Sequence, residues 1–518
     1  MTTILWVDDE IDHLRSHIRY LEKRGYRVLT AMSGRAALDE LSKNKVDLVL
    51  MDQMMVGLDG LETVEMIRKS YHQLPVVMVT QSEEEELMDK ALGGETDDYL
   101  TKPVNPSQVL LVIKRILTSD RLRSERAAEE LMSRVGRLMG SSDDLIGIDD
   151  WISLYSEWMH GDVTYGSMLE SDMKSVEKGR FQELALRFSR FVEKGYPEWI
   201  ASEQDAPLMP HNFLRRVLPP LLQSSGEVVL LVMDCMRLDQ WLVMYSEVEK
   251  WFHQRLDFMV VNLPSATPYS RNALFAGLLP RDIRRFYRQN WVDEYGSPGL
   301  NRHEPEHLRD ALARIERSSR VSAEYVRVGN HREGESFRRS LSQHLTGGFL
   351  AVVVSYLDHL THGRSESDVL KDLAPDVRSF RELALSWFQG SFLKSVLKTL
   401  AARGTTVVVT SDHGSDFCNR SARVKGARGM SSSVRFRVGH SLTAGEKESV
   451  VVREPDDWGL PAEHPRKTYV FARPGYVLMQ PHMPRDDLRK FMGTFQHGGI
   501  SIEEMIVPVA TLVPKKLG

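Results

Sequence analysis

Short apolar runs alternate along most of the chain with longer stretches whose apolar positions recur every three or four residues. In the first 118 residues, ILWV (4–7), YRVLTA (26–31), DLVLM (47–51), PVVMV (75–79) and the short DYL (98–100) read as strands. The pieces near 11–24, 34–43, 60–70, 83–92 and 106–117 have helical periodicity. Five such units predict a parallel, doubly wound sheet with right-handed crossovers. From 119 to 205 the pattern is helical. RLRSERAAEELMSRVGRLMG puts mixed charge on one face and Leu, Met and Val on the other, and further helices are predicted near 148–160, 166–178 and 180–194. This stretch reads as a spacer and dimerisation bundle. Pro207, Pro210, Pro219 and Pro220 punctuate the entry to a third segment, 206–518. There EVVLLVMD (227–234), FMVVNLP (258–264), FLAVVVSYLD (349–358) and TTVVVTSD (405–412) are strand patterns, predicting a second α/β domain with a central, mostly parallel sheet.

The length of 518 residues exceeds one core and predicts two to four domains. Hydrophobic and charged shares of 42% and 27% are those of a soluble globular protein. A net charge of −5 gives no global pull toward nucleic acid or membrane, and residues 119–225 lack the clustered positive charge of a helix-turn-helix output domain. Cys235 and Cys418 have no metal-type spacing, which argues against a disulfide framework and fits a reducing cytoplasm. No basic, apolar leader and no run of membrane-spanning length is seen, so a cytoplasmic protein without membrane insertion is expected.

Chemistry-bearing residues fall where the predicted strands stop, the edge at which α/β sheets bind ligands. In the first domain Asp8 and Asp9 follow the first strand, Asp52 the third, Thr80 the fourth and Lys102 the fifth. Three carboxylates at one edge repel unless a cation lies among them, and Mg²⁺ suits an oxygen-only cluster. Lys102 can neutralise a phosphoryl oxygen and Thr80 can hydrogen-bond one. Over 1–118 this pattern, with MDQMM around Asp52 and Lys102-Pro103, resembles the receiver domain of response regulators. Val56 departs from it, standing where such domains often carry Pro. The resemblance implies phosphoryl transfer from a sensor histidine kinase to Asp52, with Tyr99 at the aromatic switch position.

In the second α/β domain the candidates are Asp234, a hydroxyl in PSATPYSRNALFAG (264–277), Asp358 with His362, Asp412-His413-Gly414, and His497 before two glycines. Oxygen and nitrogen ligands without thiolates suit Zn²⁺ or Mn²⁺. Two such ions about 3.5–4 Å apart form a recurrent phosphatase arrangement. The ordered set resembles the alkaline phosphatase superfamily over about 227–510, nearest its PglZ branch, with Asp234 opening the DCMRLD run. That resemblance implies two Zn²⁺ ions (or Mn²⁺). One is held by Asp234, Asp412 and His413 with Thr267, the other by Asp358, His362 and His497. It also implies Thr267 as nucleophile, with Ser265 and Ser270 as the alternative hydroxyls.

Residues 417–445 carry Arg420, Arg423, Lys425, Arg428, Arg435 and Arg437 and no acid after Cys418, which reads as a mobile surface insertion. Arg423, Lys425 and Arg428 are candidates for holding an extended polyphosphate backbone, and Arg237 and Arg271 for gripping the phosphate itself. The whole architecture resembles the PorX-type response regulators of type IX protein secretion in Bacteroidetes. This implies a membrane sensor kinase, a zinc-dependent phosphodiesterase acting on linear and cyclic oligonucleotides, and an extracytoplasmic-function sigma factor as partner. A homodimer promoted by phosphorylation is the expected regulatory output. A non-enzymatic scaffold and a phosphomonoesterase are the competing readings.

Overall fold

The computed structural model describes residues 2–44, 46–71, 74–81, 96–117, 133, 147–166, 171–202, 206–291, 301–315, 322–426, 430–480 and 485–515. The predicted helix near 83–92 and the long helix after 118 lie outside them. The chain divides into two compact units, Met1–Glu130 and Leu131–Gly518.

In the first unit, five parallel strands are ordered β2-β1-β3-β4-β5: β1 (Thr3–Val7), β2 (Arg27–Ala31), β3 (Leu48–Asp52), β4 (Val76–Thr80) and β5 (Asp98–Thr101). All agree with the predicted strands to within a residue or two. β1, β3 and β4 are buried on both faces, as continuous Val, Ile and Leu runs require. Helices Arg15–Glu22, Gly34–Lys43, Gly60–Ser70 and 106–117 cover the two faces. Asp59 accepts from Glu62 N and starts the third of these helices as a capping box.

The second unit is built on a six-stranded sheet, order β7-β18-β10-β6-β9-β8. Its strands are β6 (Val228–Met233), β7 (Phe252–Val260), β8 (Ala323–Val328), β9 (Phe349–Val354), β10 (Thr406–Thr410) and β18 (Ile506–Pro514). β10, β6, β9 and β8 are parallel, while β18 and β7 run antiparallel at one side. Between β10 and β18 lie three small sheets. β11 (Asp416–Cys418) pairs with β17 (Thr494–Gln496), and β12 (Arg420–Arg423) with β16 (Tyr476–Met479). β15 (Lys467–Ala472) is flanked by β13 (Phe436–His440) and β14 (Ser449–Val452).

Several boundaries differ from the sequence reading. The helices set apart as a spacer belong to the second unit's core. Trp151, Trp158, Phe188 and Tyr196, from helices Ile148–Tyr165 and Ser171–Ala201, share one buried cluster with Val228, Leu230 and Val507 of the sheet. From Ser171 on, the predicted pair 166–178 and 180–194 is one helix, since the loss of about 1 kcal/mol at Gly179 is offset by its buried aromatic face. Pro219 and Pro220 sit inside a helix, Pro210–Ser225, held by burial of Phe213, Leu214 and Leu218. β7 begins earlier than predicted because its first half alternates polar and apolar at a sheet edge. β9 stops at Val354, so Asp358 lies on helix Tyr356–Glu366 and not at a strand end. Among the described residues no helix is long and apolar enough to cross a membrane.

Candidate metal centre

Strands β6 and β10 are neighbours in parallel register, so the loops after them open side by side. Asp234 follows β6, and Asp412 and His413 follow β10. Their ligand atoms all lie within 4.8 Å of one another. Asp412 is wholly buried. Its Oδ1 accepts from the backbone N–H groups of Cys235 (3.3 Å) and His413 (3.1 Å), while its Oδ2 has no hydrogen-bond partner. His413 donates from Nδ1 to the Gly414 carbonyl at 3.1 Å, which leaves a lone pair on Nε2 in the neutral ring. That nitrogen lies 3.9 Å from Asp234 Oδ1 and 3.7 Å from Asp412 Oδ2. Acceptors thus face acceptors in a buried space, and a divalent cation satisfies all of them.

A second group forms beside the first. Asp358 and His362 are four apart on one helix and share a face, with His362 Nε2 3.3 Å from Asp358 Oδ1. His497 follows β17, and its Nε2 lies 3.1 Å from His362 Nε2 and 3.6 Å from Asp358 Oδ1. Asp358 Oδ1 has no hydrogen-bond partner. Burial alone would raise the Asp358 carboxyl, but His362, His497 and His413 beside it pull it well below the usual range. Burial, then the neighbouring His413 and His362, push His497 well below the ordinary imidazole range, so its ring is neutral and able to ligate. Asp234 goes the other way: burial raises its carboxyl, Arg271 opposes that, and Asp412 and Asp358 add to it. Asp and His donors with orphaned buried oxygens fit two divalent ions, one at each group.

Thr267 is the first residue of helix Thr267–Ala276 and is half-buried. Its hydroxyl donates to His413 Nε2 at 2.9 Å and is 3.4 Å from Asp234 Oδ1. An oxygen at a helix N-terminus is also where an anion is favoured. Of the alternative hydroxyls, Ser265 is committed elsewhere: its Oγ donates to the Gly499 carbonyl at 2.8 Å and accepts from Gly498 N at 3.1 Å. Ser270 is fully buried. Two glycines are explained by close approach. A Cβ at Gly414 would collide with the Glu503 carbonyl oxygen. One at Gly498, whose φ is +115°, would meet the Phe436 ring.

The two arginines proposed to grip phosphate are not available for it. Arg271 is 1% exposed, bonds Asp234 through Nη1, and is 2.7 Å from Glu304 Oε1 through Nε; Asp412 Oδ2 is 3.7 Å away. It braces the acids from behind, and Tyr325 and Asn301 (2.6 Å) donate to Glu304 in turn. Arg237 is buried and held by Asp239 at 2.9 Å and by the Ser415 carbonyl at 2.5 Å. The basic stretch is also largely structural. Arg435 lies 3.0 Å from Asp416 and pairs with Glu504, Arg437 donates to the Leu478 carbonyl at 2.8 Å, and Arg420 lies over the Tyr476 ring. Among its described residues, β12 and β13 run through it. Arg423 and Lys425 are exposed, and Arg428 lies outside the described residues. Glu304, Asn301 and Glu504 were missed by the sequence reading. Only Glu504 left a signal, the Ser501-x-x-Glu504 capping box.

In the first unit, Asp8, Asp9 and Asp52 have carboxyl oxygens within 4.8 Å of one another. Lys102 Nζ is 3.1 Å from Asp8 Oδ2 and 3.0 Å from Asp52 Oδ2. Burial raises the Asp52 carboxyl, Lys102 opposes it, and Asp8 raises it further. Thr80 ends β4 at the same edge, and Tyr99 stands exposed on β5. Three acids and one lysine match the oxygen chemistry of Mg²⁺.

Residues 4–114 match the family described as response regulator receiver domain, and residues 213–512, more than half of the chain, match the BREX system PglZ alkaline phosphatase-like domain. The chain belongs to the PglZ family of alkaline phosphatase-like domains, and it carries a response regulator receiver domain N-terminal to that match. The alkaline phosphatase synthesis transcriptional regulatory protein PhoP of Bacillus subtilis is 41% identical over 128 residues, 24% of this chain and 50% of that protein. The heme response regulator HssR of Staphylococcus haemolyticus is 34% identical over 125 residues, 24% of this chain and 55% of that protein. The chain thus spans about half the length of these curated relatives. The solved chemotaxis protein CheY4 of Vibrio cholerae is 31% identical, covering 22% of this chain and 98% of that one, with a TM-score of 0.22.

Proposed function

We propose that the chain is a two-component response regulator whose output domain is a metal-dependent phosphodiesterase. The observation that carries this reading is the position of Thr267 Oγ1, 2.9 Å from His413 Nε2 at the junction of two Asp/His groups. Asp234, Asp412 and His413 would hold one Zn²⁺ or Mn²⁺, and Asp358, His362 and His497 the other. Bound there, such ions lower the pKa of a hydroxyl and take up charge on phosphoryl oxygens. Thr267 Oγ1 attacks phosphorus as its proton passes to water, the bond to the leaving alkoxide breaks, and that oxygen is protonated from solvent. Water then cleaves the threonyl phosphoester. The exposed Arg423 and Lys425 favour an oligonucleotide, linear or cyclic, over a small monoester. The structural roles of Arg435 and Arg437 weaken that last argument, so a phosphomonoesterase stands as the second reading.

The receiver side takes a phosphoryl group on Asp52 from a sensor histidine kinase, with Mg²⁺ among Asp8, Asp9 and Asp52. Lys102 and Thr80 then hold the new dianion, and the Tyr99 face changes. Homodimerisation on phosphorylation, contact with an extracytoplasmic-function sigma factor, a place in type IX secretion and residence in the cytoplasm complete the proposal. The test is metal content together with hydrolysis of bis-p-nitrophenyl phosphate and short oligonucleotides by wild type and Asp412→Ala. Nearly two metal ions per chain, with turnover lost in the variant, is the expected result. Metal-free, inactive wild-type protein would leave a binding scaffold in place of an enzyme.

A further inference from the structure

A cavity of about 340 Å³ lies beside the centre just described and includes none of its acids or histidines. Helices Ile148–Tyr165 and Ser171–Ala201 line one side, and Arg237, β11, Pro474-Gly475, Glu503 and the start of helix Val377–Gly390 line the other. Trp158, Phe181, Ala185 and Phe417 give it apolar walls, and Glu177 and Glu503 bring carboxyls to it.

Both glutamates are only 8% exposed; the unbonded Glu503 Oε2 lies beneath the wall, out of contact with solvent, so only the remaining edge of that carboxyl is reachable from the cavity. The other buried charges on the wall are already matched. Arg237 is committed to Asp239 and the Ser415 carbonyl, and Asp416 lies 3.0 Å from Arg435. The cavity therefore has more buried carboxyl than buried cation. Burial and then Asp416 push the Glu503 carboxyl up to about 8, against the pull of Arg237. Burial and then Asp162 push Glu177 up to about 7. Burial is the larger cause in both, and Arg381, Lys174 and a hydrogen bond with Trp158 oppose it at Glu177.

We propose that this cavity binds a small organic cation, a primary ammonium or amidinium on an aromatic or short aliphatic body. The charged head pairs with Glu503 and Glu177, and the body packs against Trp158 and Phe181. Lys178 Nζ already lies 5.9 Å from the centre of the Phe417 ring, so the aromatic faces left for the ligand are those of Trp158 and Phe181. Lys174, Lys178, Arg378 and Arg420 are exposed around the cavity, and they disfavour a polycation too long to be enclosed.

The experiment titrates the metal-loaded full chain with benzylamine and with its neutral isostere benzyl alcohol, followed by calorimetry and ligand-observed NMR. Benzylamine should saturate one site, and benzyl alcohol should bind at least about tenfold more weakly. Glu503→Gln should weaken benzylamine by a similar factor without changing benzyl alcohol, and Ala185→Leu should block both by filling the space. Absence of saturable benzylamine binding, or equal affinity of the two probes for wild type, would overturn the proposal without any variant having to fold. Unchanged benzylamine affinity in a folded Glu503→Gln chain would overturn it as well.

Discussion

The rings of His413 and His497 stack, with centroids 4.3 Å apart and planes 16° from parallel. One follows β10 and the other β17, so this contact joins the two Asp/His groups into one centre. Thr267 meets it at His413, and His362, half-exposed at the other end, opens it to solvent.

Removal of the Thr267 hydroxyl should separate chemistry from metal binding. Thr267→Ala is expected to lower diester hydrolysis by on the order of 10³ or more while metal content stays near wild type. Thr267→Ser, which restores an oxygen at the helix N-terminus, should recover part of the rate. Steady-state kinetics with metal analysis on the same samples checks both. Full activity in the alanine variant would remove Thr267 from the mechanism.

Metal should also stabilise the fold. Asp234, Asp412 and Asp358 place buried carboxylates near one another, and a cation relieves their repulsion. At a free ion concentration about 100 times the dissociation constant, binding contributes about 2.7 kcal/mol. Chelation is therefore expected to lower the melting temperature by several degrees, and Zn²⁺ or Mn²⁺ to restore it. In Asp412→Asn the metal-dependent increment should shrink sharply. Calorimetric scans with and without chelator decide this, and identical scans for wild type would count against a metal centre.

The chemistry at Asp52 has a stability counterpart. Its carboxyl is raised in the folded receiver by burial, opposed by Lys102 and reinforced by Asp8. A raised folded pKa means the stabilising contribution is present below the unfolded value and lost as pH rises through the folded one. Once ionised, Asp52 is thus a net cost. Asp52→Asn should abolish phosphoryl incorporation from acetyl phosphate, and in Mg²⁺-free buffer it should raise the receiver's melting temperature. Added Mg²⁺ should narrow the gap by stabilising wild type more. A variant less stable than wild type without Mg²⁺ would refute this account of the cluster.

Residues whose chemistry is fixed by type and order were legible in the sequence. Asp234, Thr267, Asp412-His413 and His497 stand where the strand and turn patterns place them, and so do Asp8, Asp52 and Lys102. What was hidden was burial. Arg271, Arg435 and Arg437 look like solvated or substrate-facing charges in a one-dimensional pattern. Glu304 and Glu504, which pair with two of them, come from distant parts of the chain. Local periodicity misplaced Asp358 because an apolar run passes from strand to helix without a break at Val354. It also split Ser171–Ala201 at Gly179, where tertiary packing carries the helix through.

The same burial makes Arg271 a sharp test. Its guanidinium is in contact with Asp234 and Glu304, with Asp412 Oδ2 at 3.7 Å, and it is almost fully enclosed. Taking one partner from a buried ion pair costs about 3–5 kcal/mol, because the remaining charge is left without compensation. Arg271→Ala should therefore lower unfolding free energy by about that amount and weaken metal binding, since Asp234 loses the group that orients its Oδ2. Glu304→Gln removes the countercharge of Arg271 and keeps the shape of the side chain. It should cost less, and its effect should not add to that of Arg271→Ala. Denaturant titrations of both single variants and the double variant measure this coupling. Had Arg271 gripped the substrate phosphate, Arg271→Ala would raise KM and leave stability and metal content unchanged, and that outcome would restore the role assigned from the sequence.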